Sequence, residues 1–151
     1  MRRAFTLKIK PFSVNQMYGR ERNRKTMDCY DWEAQFCHLL RQDAPQKALK
    51  ELREAFDSSN HAYVVRLTFG FHSSIFFTKD GAISSRSFDL TNLEKPILDL
   101  LCGPKYHEQE APNLNCDDKL VVQVVSAKKV QQEPGYSIRV AIGIVSKPQP
   151  L

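Results

Sequence analysis

The chain has 151 residues, of which 42% are hydrophobic and 26% are charged. This length and composition are typical of one folded domain and exclude a disordered or fibrous protein. No apolar run approaches the roughly 20 residues that a membrane-spanning helix needs, so we expect no membrane partner. We therefore predict a single domain over residues 1–151, with residues 148–151 as a flexible tail.

The cysteines favour a reducing compartment. Cys29, Cys37, Cys102 and Cys116 form no CxxC pair, and the first residues lack the apolar segment of a signal peptide. We therefore expect reduced thiols and a cytoplasmic protein. Cys102, His107 and Cys116 lie close in sequence, but their spacing matches no standard zinc pattern, so zinc is not expected.

The positive charge is clustered near the N-terminus. The formal net charge is +5, and Arg20, Arg22, Arg24 and Lys25 fall within six positions. Such a block suits a polyanion, because each cation that neutralises a phosphate releases a counterion. The alternative is a solvated loop that only adds solubility.

The first half of the chain alternates between strand and helix patterns. Residues 4–9 alternate apolar and polar side chains and predict a strand, and residues 18–25 read as a loop. From residue 28 the apolar spacing changes to that of an amphipathic helix ending at about 41–45, and residues 47–56 predict a second helix. Residues 62–71 predict a central strand, followed by a shorter strand around 75–77.

The second half predicts a helix and two further strands. Residues 120–125 and 136–145 are rich in β-branched residues, and Pro134 and Gly135 predict a turn between antiparallel strands. Together these elements predict an α+β fold, with a mixed or antiparallel sheet covered on one side by helices.

The segment from Asp89 to Asp99 carries the strongest local pattern. Thr91 and Glu94 have the spacing of a capping box, so a helix is expected to begin there, with Asp89 just outside it. Thr91, Lys95 and Asp99 then recur every four residues as one polar stripe. The residues at core spacing are Leu93, Ile97, Leu100 and Leu101.

These acids and the lysine suit phosphodiester hydrolysis. Carboxylates can hold Mg²⁺, which activates water and stabilises charge on the phosphate. Asp89 and Asp118 are the predicted ligands, with Asp117 or Asp99 as a further one, and Lys95 would face the phosphate oxygens. The alternative is structural: Asp89 caps a helix, Lys95 and Asp99 form a surface pair, and Asp117 and Asp118 form a turn.

Two ordered motifs resemble the RusA family of Holliday-junction resolvases. Residues 89–99 read Asp-Leu-Thr-Asn-Leu-Glu-Lys-Pro-Ile-Leu-Asp, followed downstream by Asp117-Asp118, and residues 11–18 read Pro-Phe-Ser-Val-Asn-Gln-Met-Tyr. Both are similar to family motifs and occur in the family's order. The resemblance implies a homodimeric, Mg²⁺- or Mn²⁺-dependent endonuclease that resolves four-way DNA junctions in recombination and repair.

The resemblance also implies site residues. The family's metal-binding carboxylates match Asp89 and Asp118, its essential lysine matches Lys95, and its helix acid matches Asp99. Asn92 is implied to tie the loop to the helix start, together with Thr91. The residues implied to contact DNA are Tyr18, Arg20, Arg22, Arg24 and Lys25.

The sequence departs from the family pattern in two places. Thr91 stands where well-studied members have a second carboxylate, and the segment 102–116 is longer than the usual turn. The first departure leaves open a protein that binds branched DNA with little or no cleavage. A third reading is an unrelated protein whose basic loop contacts RNA or an acidic partner.

Overall fold

A computed structural model of the chain describes residues 1–19, 24–103, 105–106, 109–110 and 113–151. The predicted DNA-contact residues Arg20 and Arg22, and also His107, lie outside these ranges. In chain order the elements are β1 (Arg2–Leu7), α1 (Met27–Leu40), α2 (Asp43–Ala55), β2 (His61–His72), α3 (Ser73–Phe76), α4 (Thr91–Cys102), β3 (Lys105–Tyr106), β4 (Gln109–Glu110), β5 (Val121–Gln131) and β6 (Tyr136–Ser146).

The long strands form one mixed sheet in the order β1-β6-β2-β5. Strand β6 pairs antiparallel with both β1 and β2, while β5 runs parallel to β2. The short strands β3 and β4 pair with each other. The predicted α+β class with a mixed sheet is therefore confirmed.

Strands β5 and β6 run in opposite directions, as their sequence predicted, but they are not neighbours. Strand β2 lies between them, and the turn that joins them crosses its end, where the His72 N–H donates to the Gly135 carbonyl at 3.0 Å. Gly135 adopts φ +80°, a conformation that glycine takes without a steric cost. Pro134 and Gly135 therefore predicted correctly where the chain reverses. They did not predict which strands pair, because β2 lies between β5 and β6.

The predicted short strand at residues 75–77 is wrong. Residues Ser73–Phe76 form the helical turn α3, and the His72 ring Nδ1 accepts a hydrogen bond from the Ser74 N–H at 3.2 Å. Phe77 does not belong to a strand and forms an isolated β-bridge with Ile83. The cause is local capping by His72, which a short apolar pattern does not reveal.

The first two helices lie close to their predicted positions. Thr26 caps α1, its side chain accepting from the Cys29 N–H at 3.2 Å. Helix α2 begins at Asp43, four residues before the predicted start, and takes Pro45 into its first turn, where a missing N–H costs little.

The hydrophobic core lies between the helices and one face of the sheet. The strand residues on this inner face that are fully buried or nearly so are Leu7, Tyr63, Val65, Leu67, Phe69, Phe71, Ile138, Val140 and Ile142. Helices α1, α2 and α4 contribute Phe36, Leu40, Leu49, Leu52, Leu93, Ile97 and Leu101 to the same cluster. This packing holds α4 against the sheet and fixes where its polar side faces.

Candidate functional site

Helix α4 buries one side and exposes another, as its sequence predicted. The residues at core spacing, Leu93, Ile97, Leu100 and Leu101, are all buried. On the other side the Lys95 side chain is 56% exposed and that of Asp99 is 32% exposed. The helix is therefore anchored by its apolar stripe and offers its polar stripe to solvent.

The predicted capping box at the start of α4 does not form. No side chain caps the helix, and Leu90, in a helical conformation, occupies the position before Thr91. The Glu94 carboxylate instead accepts from the Ser126 hydroxyl on β5 at 2.7 Å. Glu94, which would have completed the capping box, therefore bonds to a residue distant in sequence. At the start of the helix, the Asp89 carbonyl accepts a hydrogen bond from the Asn92 N–H at 3.0 Å.

Asp89 lines a cleft of about 430 Å³ next to the start of α4, which we call the Asp89 cleft. Its lining residues are Ser13, Asn15, Ile83, Ser84, Ser85, Phe88, Asp89, Asn92 and Lys128. Ser13 and Asn15 belong to the N-terminal motif, whereas Asp89 and Asn92 belong to the motif of α4. The fold thus brings together polar residues of two motifs that are far apart in sequence.

Lys128 is a residue of this cleft that the sequence analysis missed. Its ammonium donates to the Phe88 carbonyl at 2.9 Å and to the Ser87 hydroxyl at 3.0 Å. Phe88 has φ +64°, which is strained for a residue with a side chain. Lys128 therefore holds the unusual backbone that immediately precedes Asp89. The sequence feature that could have indicated this residue is a lysine within the valine-rich strand β5.

A second cleft, of about 380 Å³, lies at the other end of α4 and is called here the Asp118 cleft. Its lining residues are Asp99, Cys102, Gly103, Asn115, Cys116, Asp117 and Asp118. Three of the predicted acids therefore line one cleft, although they come from two separate segments of the chain.

The Asp117 carboxylate has a structural role in this cleft. It accepts a hydrogen bond from the Lys119 N–H at 3.0 Å, and this bond lowers the pKa of Asp117. It thereby caps a short 3₁₀ turn, Asp118–Leu120. The turn proposed as the structural alternative is thus present, and it leaves the neighbouring Asp118 exposed.

Asn113 fixes the segment that carries Asp118. It is buried, and its side-chain amide donates to the Leu100 carbonyl at 2.8 Å and to the Gly103 carbonyl. Backbone hydrogen bonds from Leu114 and Cys116 to the end of α4 extend this attachment. No sequence pattern indicates this role, because it depends on two carbonyls at the end of a helix.

Two thiols adjoin the acids of the Asp118 cleft. The Cys102 S–H donates to the Cys116 sulfur, which raises the pKa of Cys102 and lowers the pKa of Cys116. Burial and the negative charges of Asp118 and Asp99 raise the pKa of Cys102 further. All four cysteines are free thiols.

Lys95 and Asp99 form an ion pair on the exposed side of α4, with the Lys95 Nζ 3.1 Å from the Asp99 Oδ2. The surface pair proposed as the structural alternative is therefore present. Asn92, Lys95 and Asp99 are three and four residues apart and share one face of the helix. They form a polar strip that runs from the Asp89 cleft to the Asp118 cleft.

Asp89 and Asp118 line different clefts. Asp99, which lines the Asp118 cleft, lies about 12 Å along the helix axis from Thr91, the first residue of α4, at about 1.5 Å per residue. Within the described ranges, no three His, Cys, Asp or Glu side chains are grouped to hold a metal.

The described part of the basic loop is only partly free to meet DNA. Tyr18 is 43% exposed, and Arg24 is exposed. The Lys25 Nζ lies 3.1 Å from the carboxylate of Glu33, which is only 3% exposed. Burial lowers the pKa of Lys25, but the hydrogen bond and charge of Glu33 outweigh this and hold the pKa above its ordinary value. Lys25 therefore neutralises a buried acid.

No family model matches the chain, and no curated protein matches it. The fold and site define an α+β protein with a mixed sheet and a polar helix face between two clefts. In the described part of the chain, no helix is long and apolar enough to cross a membrane.

Proposed function

We propose that this protein is a Mg²⁺-dependent endonuclease that cuts four-way DNA junctions by paired phosphodiester hydrolysis. The observation that carries the proposal is the polar face of α4, where Lys95 and Asp99 lie between two clefts lined by the remaining predicted acids. Carboxylates and a lysine on one exposed face are the groups that phosphodiester hydrolysis requires.

The Asp89 cleft supports the same proposal independently. Ser13 and Asn15 meet Asp89 and Asn92 there, so the two motifs that resemble the RusA family lie side by side in the fold. Their meeting favours a shared role at a single substrate.

The donor chemistry of the Asp118 cleft fits Mg²⁺. Asp99 and Asp118 offer hard oxygen ligands, and Mg²⁺ commonly takes one or two carboxylates together with water and substrate phosphates. We assign Asp99 and Asp118 as the main ligands, Asp117 as a weaker one, and Asp89 to a separate position at the substrate. When bound, Mg²⁺ would supply charge stabilisation at the scissile phosphate and an acidified water; Mn²⁺ would substitute for it.

Lys95 supplies a point charge to the substrate. Its ammonium is exposed and is held by Asp99 across one helical turn. A phosphate oxygen placed over the helix competes with Asp99 for this cation. Lys95 then opposes the negative charge that develops in the transition state.

The protein is further proposed to act in the cytoplasm as a homodimer. A four-way junction has approximate two-fold symmetry, and two matched cuts require two sites related by such symmetry. Sedimentation at micromolar concentration should give twice the monomer mass of 17.4 kDa. A monomer bound to the junction would contradict the paired mechanism.

A second candidate function is binding of branched DNA with little or no cleavage. Thr91 carries no carboxylate, and no metal-binding group of three side chains is found among the described residues. These two observations favour a weak metal site. The two candidate functions differ in one measurable property, which is strand cleavage.

The test compares Asp118→Asn and Asp89→Asn with the parent protein and with Asp80→Asn, a control in an exposed turn. Asparagine keeps the shape of the side chain but removes its charge. We expect Asp118→Asn to abolish cleavage of a labelled junction in Mg²⁺ and to bind the junction as tightly as the parent. Normal cleavage by Asp118→Asn would overturn the metal assignment.

A further inference from the structure

The sheet has a second face, which the helices leave uncovered. The outer face, as we call it, consists of the strand residues that alternate with the core positions. They are Arg2, Ala4 and Thr6 on β1, Ala62, Val64, Arg66, Thr68, Gly70 and His72 on β2, Gln123, Val125, Ala127, Lys129 and Gln131 on β5, and Ser137, Arg139, Ala141, Gly143 and Val145 on β6. The side chains that contact helices project from the opposite face.

The charge on the outer face has a single sign. Arg2, Arg66, Arg139 and Lys129 are all exposed, and none of the strand positions on this face carries Asp or Glu. In the part of the chain that the structure describes, no ion pair joins any of the four to a carboxylate. Arg3, on the inner side of β1, is by contrast paired with Glu51. Four uncompensated cations on one surface favour an anionic partner.

The register of the strands places the four cations along a diagonal of the sheet. With strands about 4.8 Å apart and residues about 3.3 Å apart, Arg66 and Arg139 are separated by about 8 Å. By the same spacing, Arg2 and Lys129 mark the ends of a line about 25 Å long. Duplex DNA presents a phosphate about every 3.4 Å along each strand, so this line would extend over about seven base pairs.

The shape of the outer face also indicates which kind of nucleic acid it would bind. Ala4, Ala141 and Gly143 are small, and the depression that Arg2 and Arg66 help to line has a volume of only about 120 Å³. None of the strand positions of this face carries Phe, Tyr or Trp. Binding of single strands commonly uses aromatic rings on which bases stack, so these residues suit a duplex backbone better.

We propose that the outer face is a second DNA-contact surface that binds the phosphate backbone of a duplex, on the side of the sheet opposite α4. Its cations form no ion pair with a described residue, in contrast to Lys25 and Lys95, which already hold carboxylates. The choice of DNA over RNA rests on the proposed function. The charge and shape of the surface do not depend on cleavage.

The test is binding of the full-length protein to a fluorescent 30-base-pair DNA duplex in EDTA, where cleavage plays no part. The variant is Arg66→Gln with Arg139→Gln. The matched control, Lys47→Gln with Lys50→Gln on α2, removes the same charge from the helical side. We expect the outer-face variant to bind about tenfold or more weakly at 0.1 M salt, with a salt slope smaller by about 2, and the control to change little.

Several outcomes would overturn the proposal. Equal losses in both variants would show an effect of net charge alone, and unchanged binding would remove the outer face from the interface. A changed oligomeric mass would make this face a contact between copies of the chain, and tighter binding to anionic lipid vesicles or to an RNA duplex of the same sequence would assign another partner. Cleavage by the parent protein in Mg²⁺ is measured separately, so failure of the nuclease proposal is distinguishable from failure of this one.

Discussion

The Lys95 ammonium and the Asp99 carboxylate lie 3.1 Å apart, one turn from each other on the exposed side of α4. Because the pair is exposed, its contribution to the free energy of unfolding is at most about 0.5 kcal/mol. We therefore predict that Lys95→Gln reduces the cleavage rate about 10²- to 10³-fold, a size typical for loss of one group that stabilises the transition state. Denaturant unfolding and single-turnover cleavage measure the two effects.

Helix α2 offers a matched control for this prediction. Lys50 and Glu54 form a pair with the same spacing, 3.9 Å apart. Lys50→Gln should leave both cleavage and stability nearly unchanged. If Lys95→Gln cleaves as fast as Lys50→Gln, then Lys95 forms only a surface ion pair and has no role in the reaction.

Lys25 is expected to affect stability more than DNA binding. Its removal would leave the nearly buried carboxylate of Glu33 without a cationic partner, which typically costs about 3–5 kcal/mol. Lys25→Met should therefore lower the free energy of unfolding by about 3 kcal/mol in a denaturant titration. The double variant with Glu33→Gln should recover most of this loss, because it also removes the buried charge. A stable Lys25→Met protein with weakened DNA binding would instead assign Lys25 to the interface.

Cys29 should be an unreactive thiol. Burial, together with the charge and hydrogen bond of Glu33, raises the pKa of Cys29 to about 11. The thiolate is the reactive form, so at pH 8 we expect alkylation about a hundredfold slower than for an ordinary thiol, with the rate rising toward pH 11. Peptide mapping after iodoacetamide treatment measures this, with protein unfolded in guanidinium as the control. Equal rates in folded and unfolded protein at pH 8 would refute the assignment.

The sequence predicted elements well where a periodic pattern extended over several turns or strand residues. The apolar stripe of Leu93, Ile97 and Leu101 gave the buried side of α4, and with it the polar stripe of Lys95 and Asp99. These predictions hold because the packing of a helix against a sheet follows directly from its side-chain spacing.

Features that depend on a tertiary partner could not be read from the sequence. Glu94 matched a capping box, but its carboxylate instead accepts a hydrogen bond from the Ser126 hydroxyl on strand β5. Lys25 looked like part of a DNA-binding loop, but it pairs with Glu33. The placement of Asp89 and Asp118 in different clefts likewise depends on how the chain returns to the helix, which local spacing does not determine.

The proposed cutting of four-way junctions is tested most directly by cleavage of a synthetic four-way junction beside a linear duplex of matched sequence. Each is incubated with purified protein in Mg²⁺, in Mn²⁺ and in EDTA. We predict paired, symmetric nicks in the junction alone, formed with either metal and abolished by EDTA. Tight binding of the junction with no cleavage in either metal would contradict the claim and establish the binding function in its place.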